Sequence, residues 1–92
     1  MAEISVTKHS KSLYEVRVAD RGTLTTHEVS VDQETVAGLA AGRSAEAVIE
    51  ASFRFLLERE SQESILSSFG LQIIGRYFPD YEEQLGSYLA AD

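Results

Sequence analysis

Apolar and polar side chains alternate through residues 3–31. Ile4, Val6 and Lys8 alternate with Glu3, Ser5 and Thr7, and Tyr14, Val16 and Val18 with Leu13, Glu15 and Arg17. Val29 and Val31 alternate with Glu28 and Ser30. A period of two with β-branched residues on one set predicts strands. His9-Ser10-Lys11-Ser12 and Asp20-Arg21-Gly22-Thr23 interrupt the alternation. Both interruptions are rich in turn residues, and Gly22 can take a positive φ without steric cost. Such short connections predict an antiparallel meander with one face on a core and the other wet.

The period changes after residue 31. Ser30-Val31-Asp32-Gln33 reads as a capping box, with Asp32 itself a good N-cap. A short helix is expected from Gln33 to Ala41, stopped by Gly42. Ser44 opens a longer one, reaching about Glu60. There Val48, Ile49, Ser52, Phe53, Phe55 and Leu56 follow helical spacing. Glu50, Arg54 and Glu58 lie four apart on the other face, a spacing that suits ion pairs. Ser61 should cap a further short helix that turns Ile65, Leu66 and Phe69 inward and ends at Gly70. Leu71 to Phe78 fits a helical turn or a buried extended stretch equally, and Pro79 breaks it. Asp80-Tyr81-Glu82-Glu83 reads as a second capping box. Behind it Tyr81, Leu85, Tyr88 and Leu89 make one stripe of a last helix.

The expected fold class is therefore α+β. Residues 1–92 form one domain, with strands in 1–31 and helices in 32–92. A three-stranded antiparallel meander carries three to four helices on one sheet face. Free sheet edges make a homodimer possible.

Composition narrows the function. The 92 residues include no Cys, which excludes disulfides, thiolate metal sites and a cysteine nucleophile. No apolar run approaches a membrane span. The start, Met1 to Ser5, has no basic segment leading into an apolar one, so no signal peptide is expected and a cytoplasmic location is. The net charge is −7; residues 1–43 hold five basic and six acidic side chains, and residues 44–92 three and nine. An acidic second half repels phosphate and favours a basic protein partner.

No constellation for chemistry stands out. His9 and His27 lack metal-ligand spacing and read as two exposed histidines, with no metal or cofactor expected. Ser10, Ser12, Ser44 and Ser61 sit where turns and caps want hydroxyls, and no serine lies in a nucleophile elbow. Lys8, Lys11, Arg17 and Arg21 could form a small basic spot on the sheet, with Tyr14 the one aromatic near them. Single-strand binding normally uses several stacking platforms. Seven of the eight aromatics follow residue 50. Tyr77, Phe78 and Tyr81 flank Pro79 beside Asp80, Glu82 and Glu83. Aromatics with a charged rim suggest a recognition patch, although they also suit the corner where a last helix packs.

Phe53-Arg54-Phe55-Leu56-Leu57-Glu58-Arg59-Glu60, then Ser64-Ile65-Leu66, then Arg76-Tyr77-Phe78-Pro79-Asp80-Tyr81-Glu82 resembles a family of small uncharacterised bacterial proteins. The resemblance spans roughly residues 50–85 and implies a bacterial origin, but no activity and no functional residues. The outline of a small sheet with helices, acidic and cysteine-free, is also similar to antitoxin subunits that neutralise basic ribonucleases, by analogy of fold alone. The expectation is a non-catalytic, antitoxin-like or regulatory subunit. It would bind a basic protein through Tyr77, Phe78, Tyr81, Glu82 and Glu83. The alternative is a weak nucleic-acid-binding dimer using Lys8, Lys11, Arg17 and Arg21; a small enzyme ranks below both.

Overall fold

The alternation near the N-terminus becomes three strands in the computed structural model, which describes residues 2–40 and 42–90. They are β1 (Glu3–Lys8), β2 (Leu13–Asp20) and β3 (Thr23–Ser30). They pair antiparallel in chain order, with Val16 opposite Val6 and His27. This register puts Ile4, Val6, Tyr14, Val16, Val18, His27 and Val29 on one face. Glu15, Arg17, Thr26 and Glu28 share the other. The β2–β3 turn is a two-residue hairpin with Arg21 at φ 52° and Gly22 at φ 82°. Two successive positive φ values match the twist of the flanking strands, which favours this tight connection.

Asp32 caps α1 (Gln33–Ala40), accepting from the Glu34 amide at 3.1 Å. Ala41, expected as its last residue, lies outside the described residues. Gly42 turns the chain at φ 87°. The Ser44 hydroxyl then accepts from the Ala47 amide at 3.1 Å and opens α2 (Ala45–Leu57).

Helix α2 is the centre of the molecule. Phe53 and Phe55 lie two positions apart and so point to nearly opposite sides. Phe53 meets His27 and Phe69 on the sheet side, with ring centroids at 5.3 and 5.9 Å. Phe55 meets Phe78, Tyr81 and Tyr88 on the other, at 5.7, 5.4 and 6.0 Å. A helix apolar on both sides must be covered on both. The sheet covers one side of α2, and α4 (Tyr81–Ala90) with α1 covers the other.

The chain departs from the sequence expectation after α2. The helix expected over 61–70 is a single 3₁₀ turn, Gln62–Ser64, followed by a fourth strand, β4 (Ser68–Gly70). β4 pairs parallel with the outer edge of β3, Val29 opposite Phe69. Ile65, Leu66 and Phe69 do have helical spacing. However, Ser67, Ser68 and Gly70 are weak helix formers, and so short a helix has little stability of its own. The unpaired edge of β3 offers hydrogen bonds instead, beginning with the Glu28 amide donating to the Ser67 carbonyl at 2.8 Å. Leu71 to Tyr77 is helical, a 3₁₀ turn over Leu71–Ile73 running into α3 (Ile74–Tyr77). The Asp80 carboxylate, expected in a capping box, accepts from the Arg59 guanidinium at 3.2 Å. Among the described residues no helix is long and apolar enough to cross a membrane.

Candidate functional site

The sheet edge occupied by β4 and the turns that follow it carry a surface apolar patch. Leu66 is 52 % exposed and Tyr77 67 %. They stand with Phe69, Ile73 and Phe78 around a dimple of about 40 Å³, and Glu60 forms part of its rim. Leu66 and Tyr77 are thus neighbours around one apolar depression rather than two isolated exposed residues.

A buried polar network fixes the backbone beneath the patch. His27 is 2 % exposed, not the solvent-facing histidine its sequence context suggested. Its Nδ1 lies 2.7 Å from the Leu66 carbonyl, which can only accept, so Nδ1 carries the proton. Its Nε2 lies 2.9 Å from the Thr25 hydroxyl. Thr25 Oγ1 in turn accepts from the Gln62 amide at 3.2 Å, and the same amide donates to the Val18 carbonyl at 3.0 Å. With its carbonyl held inward by His27, Leu66 presents its side chain outward. The helical spacing had pointed Leu66 into the core, and that expectation fails because the segment is not helical. The network also uses both ring nitrogens of one of the two histidines. Among the described residues no group of three or more His, Asp or Glu side chains is placed to hold a metal.

The five residues expected to bind a partner do not form one surface. Tyr77 and Phe78 belong to the patch, Phe78 half-buried with its ring edge-on to Phe55. Tyr81 is only 1 % exposed and belongs to the core. Its hydroxyl lies 2.6 Å from Ser52 Oγ, and burial pushes the phenol up to about 12. Ser52 Oγ donates to the Val48 carbonyl at 2.7 Å, so the Tyr81 hydroxyl is the donor to Ser52. Glu82 and Glu83 are exposed on the first turn of α4. Glu82 lines a different feature, a groove of about 710 Å³ between α1 and α4 whose wall also includes Gly38, Arg43 and Gly86, with the buried Leu85 at its floor.

The four basic residues scatter further. Lys8 ends β1 and Lys11 sits in the next turn, whereas Arg21 sits in the opposite turn, roughly 25 Å away along an eight-residue strand. Arg17 is on the polar sheet face, its Nε 2.9 Å from Glu15 Oε2. The His9 ring lies 3.6 Å from the same carboxyl group. These four side chains do not join into a continuous basic track.

Leu66, Phe69 and Ile73 were missed as surface residues. The available signal was the run Ser67-Ser68 with Gly70, which argues against a helix there and hence against an inward Leu66. No known family matches this chain, and no characterised protein or solved structure is detectably similar to it.

Proposed function

We propose that this chain is a cytoplasmic, non-catalytic interaction subunit, antitoxin-like or regulatory, that docks a basic protein through the Leu66–Tyr77 patch. The observation that carries this reading is the side-by-side exposure of Leu66 and Tyr77 over a ready-made apolar dimple. An aromatic and an aliphatic anchor over a pocket are what an interface needs at its centre. The charge of the second half supports a basic partner, which it would attract over distance and orient.

Because both anchors stand in solvent, replacing them leaves the core intact. The test is affinity capture from the native host with the wild type, Leu66→Asp and Tyr77→Ala, at low and high salt. The wild type should hold one basic protein in stoichiometric amount. Leu66→Asp should weaken it by about 30-fold or more, the scale of a central anchor. High salt should weaken it as well. Equal capture by all three proteins would refute the reading.

A further inference from the structure

The opposite edge of the sheet is open. β3 is covered by β4, but among the described residues β1 pairs only with β2. The His9 amide donates to the Leu13 carbonyl at 2.9 Å, and residues 9 and 13 are opposite in the β1–β2 register. Hydrogen-bonded and non-hydrogen-bonded pairs alternate along an antiparallel ladder. Glu3, Ser5 and Thr7 therefore direct their backbone groups to β2, and Ile4, Val6 and Lys8 direct theirs outward. Proteins usually blunt such an edge with a proline, a bulge or a covering segment. β1 has no proline, and its register with β2 runs unbroken from Glu3 to Lys8.

The edge also has apolar surface beside it. Ile4 and Val6 are half-buried on the helix side. A groove of about 520 Å³ runs under the start of the strand, lined by Ala2, Ile4, Leu57, Glu58 and Tyr88 among others. An added strand would bury this surface and satisfy the outward backbone groups together.

The charges indicate which strand. The start of β1 is acidic on balance: Glu3 is on the strand and Glu58 in the groove wall, where Arg54 is paired with Glu50, and Asp20, Glu58, Glu60 and Glu63 outnumber Arg21 around the neighbouring cleft beside Ala2. The end of β1 is basic, with Lys8 on the strand and Lys11 in the turn. Antiparallel pairing of two identical strands brings each acidic start against a basic end. A two-fold axis normal to the sheet keeps both helix layers on one side, so paired residues must share a face. Ser5 opposite Ser5 meets that condition. It sets Ile4 against Val6 of the second copy and Ala2 against Lys8. Ile4 and Val6 then exchange about four backbone hydrogen bonds across the axis.

We propose that β1 is the interface between two copies of this chain. They pair antiparallel about Ser5 into one continuous sheet, and Lys8 of each copy lies over the Glu58 end of the other. This surface is at the far edge from the Leu66–Tyr77 patch, so its test is independent of partner capture.

Sedimentation equilibrium over a wide concentration range decides it, using the wild type, Lys8→Glu, Lys8→Glu with Glu58→Lys, and Val6→Pro. Lys8 is exposed, so its reversal leaves the fold intact. The wild type should be a dimer. Lys8→Glu should raise the dimer dissociation constant about tenfold, since the symmetry counts the lost pair twice. The double exchange should recover most of that loss. Val6→Pro removes an outward N–H and should abolish the dimer. A monomer at every concentration overturns the proposal. So does a dimer indifferent to charge reversal, because the register would then be wrong even if Val6→Pro disrupts it. Should Val6→Pro fail to fold, the two charge variants decide the question by themselves.

Discussion

The contact between Ser52 and Tyr81 sets an asymmetric cost on its two partners. Ser52 donates to the Val48 carbonyl and accepts from Tyr81, and both side chains are buried. Ser52→Ala strands the Tyr81 hydroxyl as a buried donor without an acceptor, a loss of about 1–3 kcal/mol. Alanine's better helix propensity returns about 0.5 kcal/mol at this mid-helix site. Tyr81→Phe removes the donor but leaves the Ser52 proton on Val48, so it should cost about 0.5–1.5 kcal/mol. The double variant leaves no stranded group and should match Tyr81→Phe or exceed it in stability. Urea unfolding of the four proteins reads these energies. For a domain of this size each kcal/mol also moves the melting point by about 4–8 °C. The same hydroxyl predicts an alkaline limb. The folded phenol titrates at about 12 against an ordinary 10.0, so the folded state holds its proton more tightly. That stability is complete below pH 10 and is lost as the pH rises toward 12, up to about 2.7 kcal/mol. Tyr81→Phe should remove this limb from the stability profile. Single costs that simply add in the double variant would refute the donor assignment.

Other perturbations separate packing from surface roles. Gly38 and Gly86 lie inside α1 and α4 with nothing within 4 Å of a would-be Cβ, so Gly38→Ala and Gly86→Ala should each stabilise by about 0.5–1 kcal/mol in urea unfolding. Gln62→Ala frees the Val18 carbonyl and Thr25 hydroxyl that the amide serves and should cost about 1–3 kcal/mol by the same assay. Leu66→Asp and Tyr77→Ala should leave the melting point nearly unchanged while partner capture is lost. Lys8→Glu should weaken the dimer without altering the circular dichroism of the subunit.

The α+β class, the meander and the long central helix were legible because each rests on local pattern. Alternation, a Gly22 turn and the Ser44 cap need no knowledge of the rest of the chain. β4 was not legible, because Ser68, Phe69 and Gly70 are too short a run, and too poor in β-branched residues, to carry a strand signal. They become a strand only where β3 leaves an edge to pair with. The same non-local cause hid Leu66, whose outward direction follows from His27 holding its carbonyl. The aromatic cluster around Pro79 is plain in the sequence, but periodicity could not divide it. Tyr81 falls to the core because Ser52 waits for its hydroxyl, and Tyr77, four positions earlier, is left in solvent.

The parallel pairing of β4 sets an order of assembly. β1, β2 and β3 meet through short turns, whereas Val29 and Phe69 are brought together across the whole of α1 and α2. Closing so long a loop carries an entropy cost that local hairpins do not, and it slows the step that needs it. β4 should therefore join after the meander and α2 have formed, and its amides should exchange with solvent sooner than those of β2. Each opening releases the patch and bares the edge of β3 together. A partner that binds only the docked form holds that edge closed, so occupancy of the patch should protect the chain from proteolysis and from edge-to-edge aggregation in proportion to how tightly it is held.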